Sequence, residues 1–171
     1  ENTVSLQDRA FQYGDGCFST VRVVQGKMEL YERHIQRLKK SATALQLTVN
    51  WQNLAQSLLY LQTEQPQATG TLKILISRGE GQRGYSLPCH AADLYVFFYP
   101  QAFHEHTYSY MVSGVLQQSI GLTMPTLVGL KSLNRLEQVM LKQEADQRQW
   151  LEALVGDVHG NLVEGVSSNC F

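Results

Sequence analysis

The chain has 171 residues, 43% of them hydrophobic and 17% charged, a composition that suits a globular protein and excludes disordered, collagenous and fibrous classes. Fourteen basic and fifteen acidic residues leave a formal charge of −1, so no positive surplus marks it for nucleic acid or an anionic membrane surface. Cys17, Cys89 and Cys170 form no C-x-x-C pair and no even-numbered framework, which predicts reduced thiols in a cytoplasmic protein. The most apolar window, ADLYVFFY, is too short to span a bilayer, and the first residues lack the charged-then-apolar order of a signal peptide. Both ends read as cut: there is no initiating methionine, and the chain stops at Phe171 inside a segment that still looks structured, so the expectation is a fragment.

Residues 18–24 (FSTVRVV) are rich in β-branched side chains and meet a Gln25-Gly26-Lys27 turn before MELY resumes, which predicts a hairpin. Over 31–47, Ile35, Leu38, Ala42 and Leu45 recur at spacings of three and four, the pattern of an amphipathic helix whose polar face carries Arg33, Arg37, Lys39 and Lys40. A second helix is expected over 51–63, with Leu54, Leu58, Leu59 and Leu61 to one side, closed by Pro66 and Gly70. TLKILIS and ADLYVFFY read as strands joined by a Gly-rich link, and 108–116 as a further strand. The composition divides the chain into a small α/β domain over 1–113 and the start of a second over 114–171. That second domain opens with a helix over 132–149 carrying Leu133, Leu136, Val139 and Met140 as its apolar stripe, followed by strands EALVGD and LVEGV across the turn VHGN.

Gly79, Gly81 and Gly84 spell G-x-G-x-x-G, but a dinucleotide site needs a helix directly after the glycines, and YSLPCH has a proline and no helical period. The five histidines show no H-E-x-x-H and no metal-ligand spacing, and Ser167 and Ser168 have no local base for Ser-His-Asp chemistry. Arg78, Arg83 and Arg37 are candidates for capturing a carboxylate or phosphate through the guanidinium fork; a solvated arginine is the competing reading. Lys131 lies between a Gly/Pro/Thr-rich stretch and a helix, flanked by Leu130 and Leu133. An apolar setting and a cationic neighbour such as Arg135 would free its amine as nucleophile or base.

Five blocks in one order, QDRAFQYGDGCFSTVRV, HIQRL, ISRGEGQRGYS, GLKSLNRLEQV and LVEGVSSN, resemble the fold-type IV pyridoxal-phosphate enzymes, and their wording is most similar to that of the 4-amino-4-deoxychorismate lyases. The resemblance implies the two-domain α/β (α+β) fold of the D-amino acid aminotransferases, here with the C-terminal domain incomplete. It implies pyridoxal 5'-phosphate as cofactor, held by Lys131 as an internal aldimine, by Arg37 at the phosphate, by Glu164 at the pyridine nitrogen, and by the turn Ser167, Ser168 and Asn169. Arg83 and Tyr85 match positions on the substrate side. The implied reaction gives 4-aminobenzoate and pyruvate, a step of folate biosynthesis, in a homodimer with no metal.

Two departures bear on this. Related D-amino acid aminotransferases carry a substrate-binding tyrosine where this chain has Phe18, which favours the lyase over transamination. Family members also continue past SSNCF into further phosphate-binding loops. A branched-chain or D-amino acid aminotransferase is the alternative activity, and an inactive folded or dimerising fragment the alternative without one.

Overall fold

The computed structural model describes residues 3–103, 110–117, 125–157 and 159–170. Contacts gather the chain into two compact units, Glu1–Glu105 with Leu130–Leu133, and His106–Gly129 with Asn134–Phe171. The stretch that carries Lys131 therefore packs with the first unit, whereas composition assigns everything from residue 114 onward to the second.

In the first unit, Asp8 caps α1 (Arg9–Tyr13) by accepting from the backbone N–H groups of Ala10 and Phe11. The chain enters β1 (Gly16–Val24), turns at Gln25-Gly26 into the short β2 (Lys27–Met28), and continues as α2 (Tyr31–Ala44), α3 (Trp51–Glu64), β3 (Gly70–Ser77) and β4 (Asp93–Pro100). The strands form an antiparallel sheet in the order β2-β1-β3-β4. Alternation along β1 buries Cys17, Ser19, Val21 and Val23 on one face. With Leu72, Ile74 and Ile76 of β3 that face forms a core closed by Leu38 and Ala42 of α2 and Leu54 and Leu58 of α3. Each such leucine or isoleucine contributes about 1.5–3 kcal/mol by leaving water.

Two details differ from the sequence reading. Leu59 does not join the stripe of α3 but stands 59% exposed. Helix α2 stops at Ala44 rather than near residue 47, because Gln46 takes φ 54° and the Leu45 and Gln46 carbonyls turn to the guanidinium of Arg78. After β3 the glycine-rich link runs to β4 with no helix between. Gly79 is required there: its φ is +83°, and a Cβ would stand 2.8 Å from an Asp93 carboxylate oxygen.

Residues 130–133 lie along the start of β1. Phe18 N–H donates to the Lys131 carbonyl and Leu133 N–H to the Gly16 carbonyl, both at 3.0 Å, with an antiparallel bridge between Cys17 and Ser132. Gly16 permits this approach, since a Cβ would meet the Ile76 carbonyl at 2.3 Å and the Leu133 side chain at 2.7 Å. Lys131 thus sits on an extended, sheet-bound segment, and the next helix starts only at Leu136 rather than directly after the lysine.

In the second unit β5 (Ser113–Gln117) runs parallel to β6 (Glu152–Gly156), and β7 (Leu162–Gly165) is antiparallel to β6. The predicted strand over 108–116 is shifted, and its first residues lie outside those described. The crossover α4 (Leu136–Gln147) buries Leu141 and Ala145 against Leu116, Ala153, Val155 and Val166. The expected stripe is incorrect: Leu136, Val139 and Met140 are 70%, 59% and 58% exposed. Apolar residues are spread around this helix, so its period does not select a face, and packing on β5 and β6 decides.

Burial pushes the Cys17 thiol up to about 12, while Cys89 and Cys170 are exposed. With a disulfide reagent at pH 8, two thiols are expected to react at once and the third only after denaturation. A third rapid equivalent in the native state would show that β1 opens.

Candidate functional site

Phe18 and Ser19 project to opposite faces of β1. The ammonium of Lys131 lies 4.9 Å from the centroid of the Phe18 ring, and that of Lys73, from β3, lies 5.2 Å from it. Both contacts are within cation–π range. Ser19 faces α2, where His34 and Arg37, three residues apart, share a face. The Ser19 Oγ accepts from Arg37 Nη2 at 2.8 Å and lies 2.8 Å from His34 Nδ1; Arg37 Nη2 is 3.1 Å from the same nitrogen. Arg37 and Lys131 therefore address β1 at consecutive residues.

The electrostatics are lopsided. Among the described residues no carboxylate lies within ion-pairing distance of Arg37. Burial, then the charges of Arg37 and Lys131, pull the His34 imidazole below its ordinary value. Arg37 also lies below its usual range through partial burial, with no loss of charge at physiological pH. The Arg37 guanidinium with a hydroxyl and an imidazole beside it suits a phosphate monoester, so this donor set fits the phosphate end of pyridoxal phosphate.

Arg83 and Tyr85 are elsewhere in this unit. Arg83 borders an open cleft of about 600 Å³ together with Gln7, Gln12, Glu80 and His90, and no residue lining that cleft belongs to the Lys131 group. Tyr85 is 84% exposed, its ring 5.6 Å from that of Tyr13. The loop is anchored by Arg9, which donates to the carbonyls of Gly84 at 2.9 Å and Tyr85 at 3.5 Å. Arg9 Nε in turn meets Asp15 Oδ2 at 2.9 Å, and Arg78 Nε meets the same oxygen at 2.7 Å. Arg78, a sequence candidate for ligand capture, is consumed by this internal network. Burial alone would raise the Asp15 carboxyl, but the hydrogen bonds and charges of Arg78 and Arg9 outweigh it and hold the group below its usual range.

The remaining candidates belong to the second unit. Glu164 lies half-buried in β7 opposite Val155. Ser167 Oγ donates to Glu152 Oε2 at 2.7 Å, the Ser168 side chain bonds the same carboxylate, and Gly165 N–H donates to the Ser168 carbonyl at 3.0 Å. Asn169 is exposed beside this turn. Burial raises the Glu152 carboxyl, yet bonds from Ser167, Ala153 N–H and Ser168 bring it below the usual carboxylate range. Ser19, His34, Asp15, Arg9 and Glu152 escaped the sequence reading; only the i, i+3 placement of His34 and Arg37 offered a signal.

The first unit is a two-layer α/β fold with a lysine-bearing segment pinned to the start of β1. Residues 16–171 match the family model described as amino-transferase class IV, and the chain belongs to that family, the fold-type IV pyridoxal-phosphate enzymes. The cofactor of the family is pyridoxal 5'-phosphate. An aminodeoxychorismate lyase of Vibrio harveyi is 34% identical over 98% of this chain and 62% of its own length. A D-alanine aminotransferase of Staphylococcus aureus (strain N315) is 28% identical over 100% of this chain and 61% of its own. The crystal structure of 4-amino-4-deoxychorismate lyase from Pseudomonas aeruginosa superposes with a TM-score of 0.77 at 33% identity, covering 98% of this chain and 62% of that one. The chain thus spans about three fifths of the length of the relatives it matches.

Proposed function

We propose that the protein converts 4-amino-4-deoxychorismate to 4-aminobenzoate and pyruvate with pyridoxal 5'-phosphate. The observation that carries this reading is the 34% identity to the V. harveyi lyase across nearly the whole chain. It is supported locally by Phe18, whose ring offers no hydroxyl for an amino-acid carboxylate beneath the Lys131 ammonium.

In this reading Arg37 binds the cofactor phosphate, and the Lys131 amine holds the cofactor and then moves the substrate's C4 proton. When bound, the cofactor supplies an electron sink for the electrons left at that carbon. Removal of the C4 proton lets the ether C–O bond break, so enolpyruvate leaves as the ring becomes aromatic and then tautomerises to pyruvate. Glu164 keeps a proton on the pyridine nitrogen, the turn Ser167, Ser168 and Asn169 contacts the cofactor, and Arg83 binds a substrate carboxylate, with Tyr85 lining the substrate side. A second copy of the chain is the partner in a homodimer.

Incubation with 4-amino-4-deoxychorismate and cofactor is expected to release 4-aminobenzoate and pyruvate in equal amounts, read by chromatography. The aminotransferase reading, favoured by the S. aureus relative, predicts keto acids from amino acids instead. Formation of keto acids alone would sink the lyase assignment.

A further inference from the structure

The guanidinium of Arg37 can only donate, so Ser19 Oγ accepts from Nη2, and the 3.1 Å approach of Nη2 to His34 Nδ1 is a hydrogen bond in the tautomer that leaves Nδ1 bare. In that tautomer Ser19, its oxygen accepting from Arg37, sends its own proton to Nδ1 at 2.8 Å. Nδ1 then carries no hydrogen, and the neutral imidazole keeps its proton on Nε2. An imidazolium would set N–H against N–H at 3.1 Å and lose the Arg37–His34 contact, while Ser19 Oγ, with two lone pairs, would accept from both groups.

The charged groups acting on this imidazole are both positive: Arg37 on its own helix and Lys131 on the segment beside β1. Neither stabilises a proton on His34. Ser19 is fully buried, so its hydroxyl cannot exchange these partners for water. Arg37 is otherwise a long side chain at the surface of α2 that loses rotamer freedom only through this anchor.

We propose that Ser19 and His34 are positioning residues for Arg37: the buried hydroxyl and the neutral imidazole hold one edge of the guanidinium, leaving its other N–H groups aimed at a phosphate monoester. Protonation of His34 removes the imidazole half of this anchor and loosens Arg37. The inference rests on Arg37 being the phosphate-binding residue of the proposed function, and it assigns roles to two residues that touch no ligand themselves.

Equilibrium dialysis with pyridoxal 5'-phosphate and with pyridoxal, which lacks the phosphate, isolates the phosphate contribution as a ratio of affinities. Arg37→Ala is expected to collapse that ratio. If it does not, the phosphate assignment of Arg37 fails, whatever His34 does. Given a collapse there, His34→Ala and Ser19→Ala are each expected to lower the ratio about tenfold, the effect of losing a hydrogen bond to a charged group. His34→Asn, whose Oδ1 replaces the Nδ1 acceptor, is expected to stay within about twofold of the unsubstituted protein.

The pH dependence supplies a readout that a merely structural role would not move. The ratio falls with acidification partly because the phosphate itself gains a proton, and this component persists in His34→Asn. The excess fall in the unsubstituted protein, absent from His34→Asn, reports the imidazole. A ratio unchanged in His34→Ala, equal loss of both ligands in His34→Ala and His34→Asn, or identical pH profiles for the unsubstituted protein and His34→Asn would each overturn the positioning role.

Discussion

Lys131→Ala is expected to remove turnover by about 10²- to 10⁴-fold or more while the far-ultraviolet circular dichroism stays unchanged. The side chain is half-buried over Phe18, and its backbone carbonyl, not its amine, makes the bond to β1; alanine retains that bond. The informative competitor is Lys73, whose ammonium is nearly as close to the same ring. Borohydride reduction of the cofactor-loaded protein, followed by peptide mass spectrometry, should place the added mass on the peptide containing Lys131. Label on the peptide with Lys73 would reassign the reactive amine, and near-normal turnover in Lys131→Ala would end the proposal for it.

Asp15→Asn is expected to cost about 3–5 kcal/mol in urea denaturation, the penalty for leaving buried cations without their counter-charge. The side chains of Arg9 and Arg78 are 4% and 7% exposed, and one oxygen of Asp15 serves both. The amide keeps the shape and one acceptor but not the charge, so the loss reports electrostatics rather than a cavity. The Asp15 carboxyl is held below its ordinary value in the fold. Its stabilisation is present above the unfolded-state value and is lost as pH falls through the folded one, so the gap between the two proteins should close below about pH 4. A cost under about 1 kcal/mol at neutral pH would mean that the arginines are satisfied by their carbonyl acceptors alone.

Elements with a single strong period were legible in the sequence. The β-branched run at 18–24 marks β1 as a strand, and the three-four spacing of Leu38 and Ala42 names two residues of the larger core. Helix α4 was legible as a helix but not in its orientation, because Leu136, Val139, Met140, Leu141 and Ala145 surround it and only the sheet decides which are covered. The end of α2 was misjudged for a related reason: its last carbonyls answer to Arg78, far away in the chain. At the site, Arg37 and Lys131 stood out by residue type and setting and took their roles from motif resemblance, whereas Ser19 and His34 gain meaning only when β1 and α2 meet. Arg83 showed the reverse limit, since a cationic loop residue signals a ligand but not which cleft it borders.

The pinning of residues 130–133 to the beginning of β1 joins parts of the chain that are far apart in sequence. Contacts of such separation carry a loop-closure cost and form late. The helices and hairpin of the first unit are local by comparison, so the seat of Lys131 over Phe18 depends on a long-range closure that they do not need.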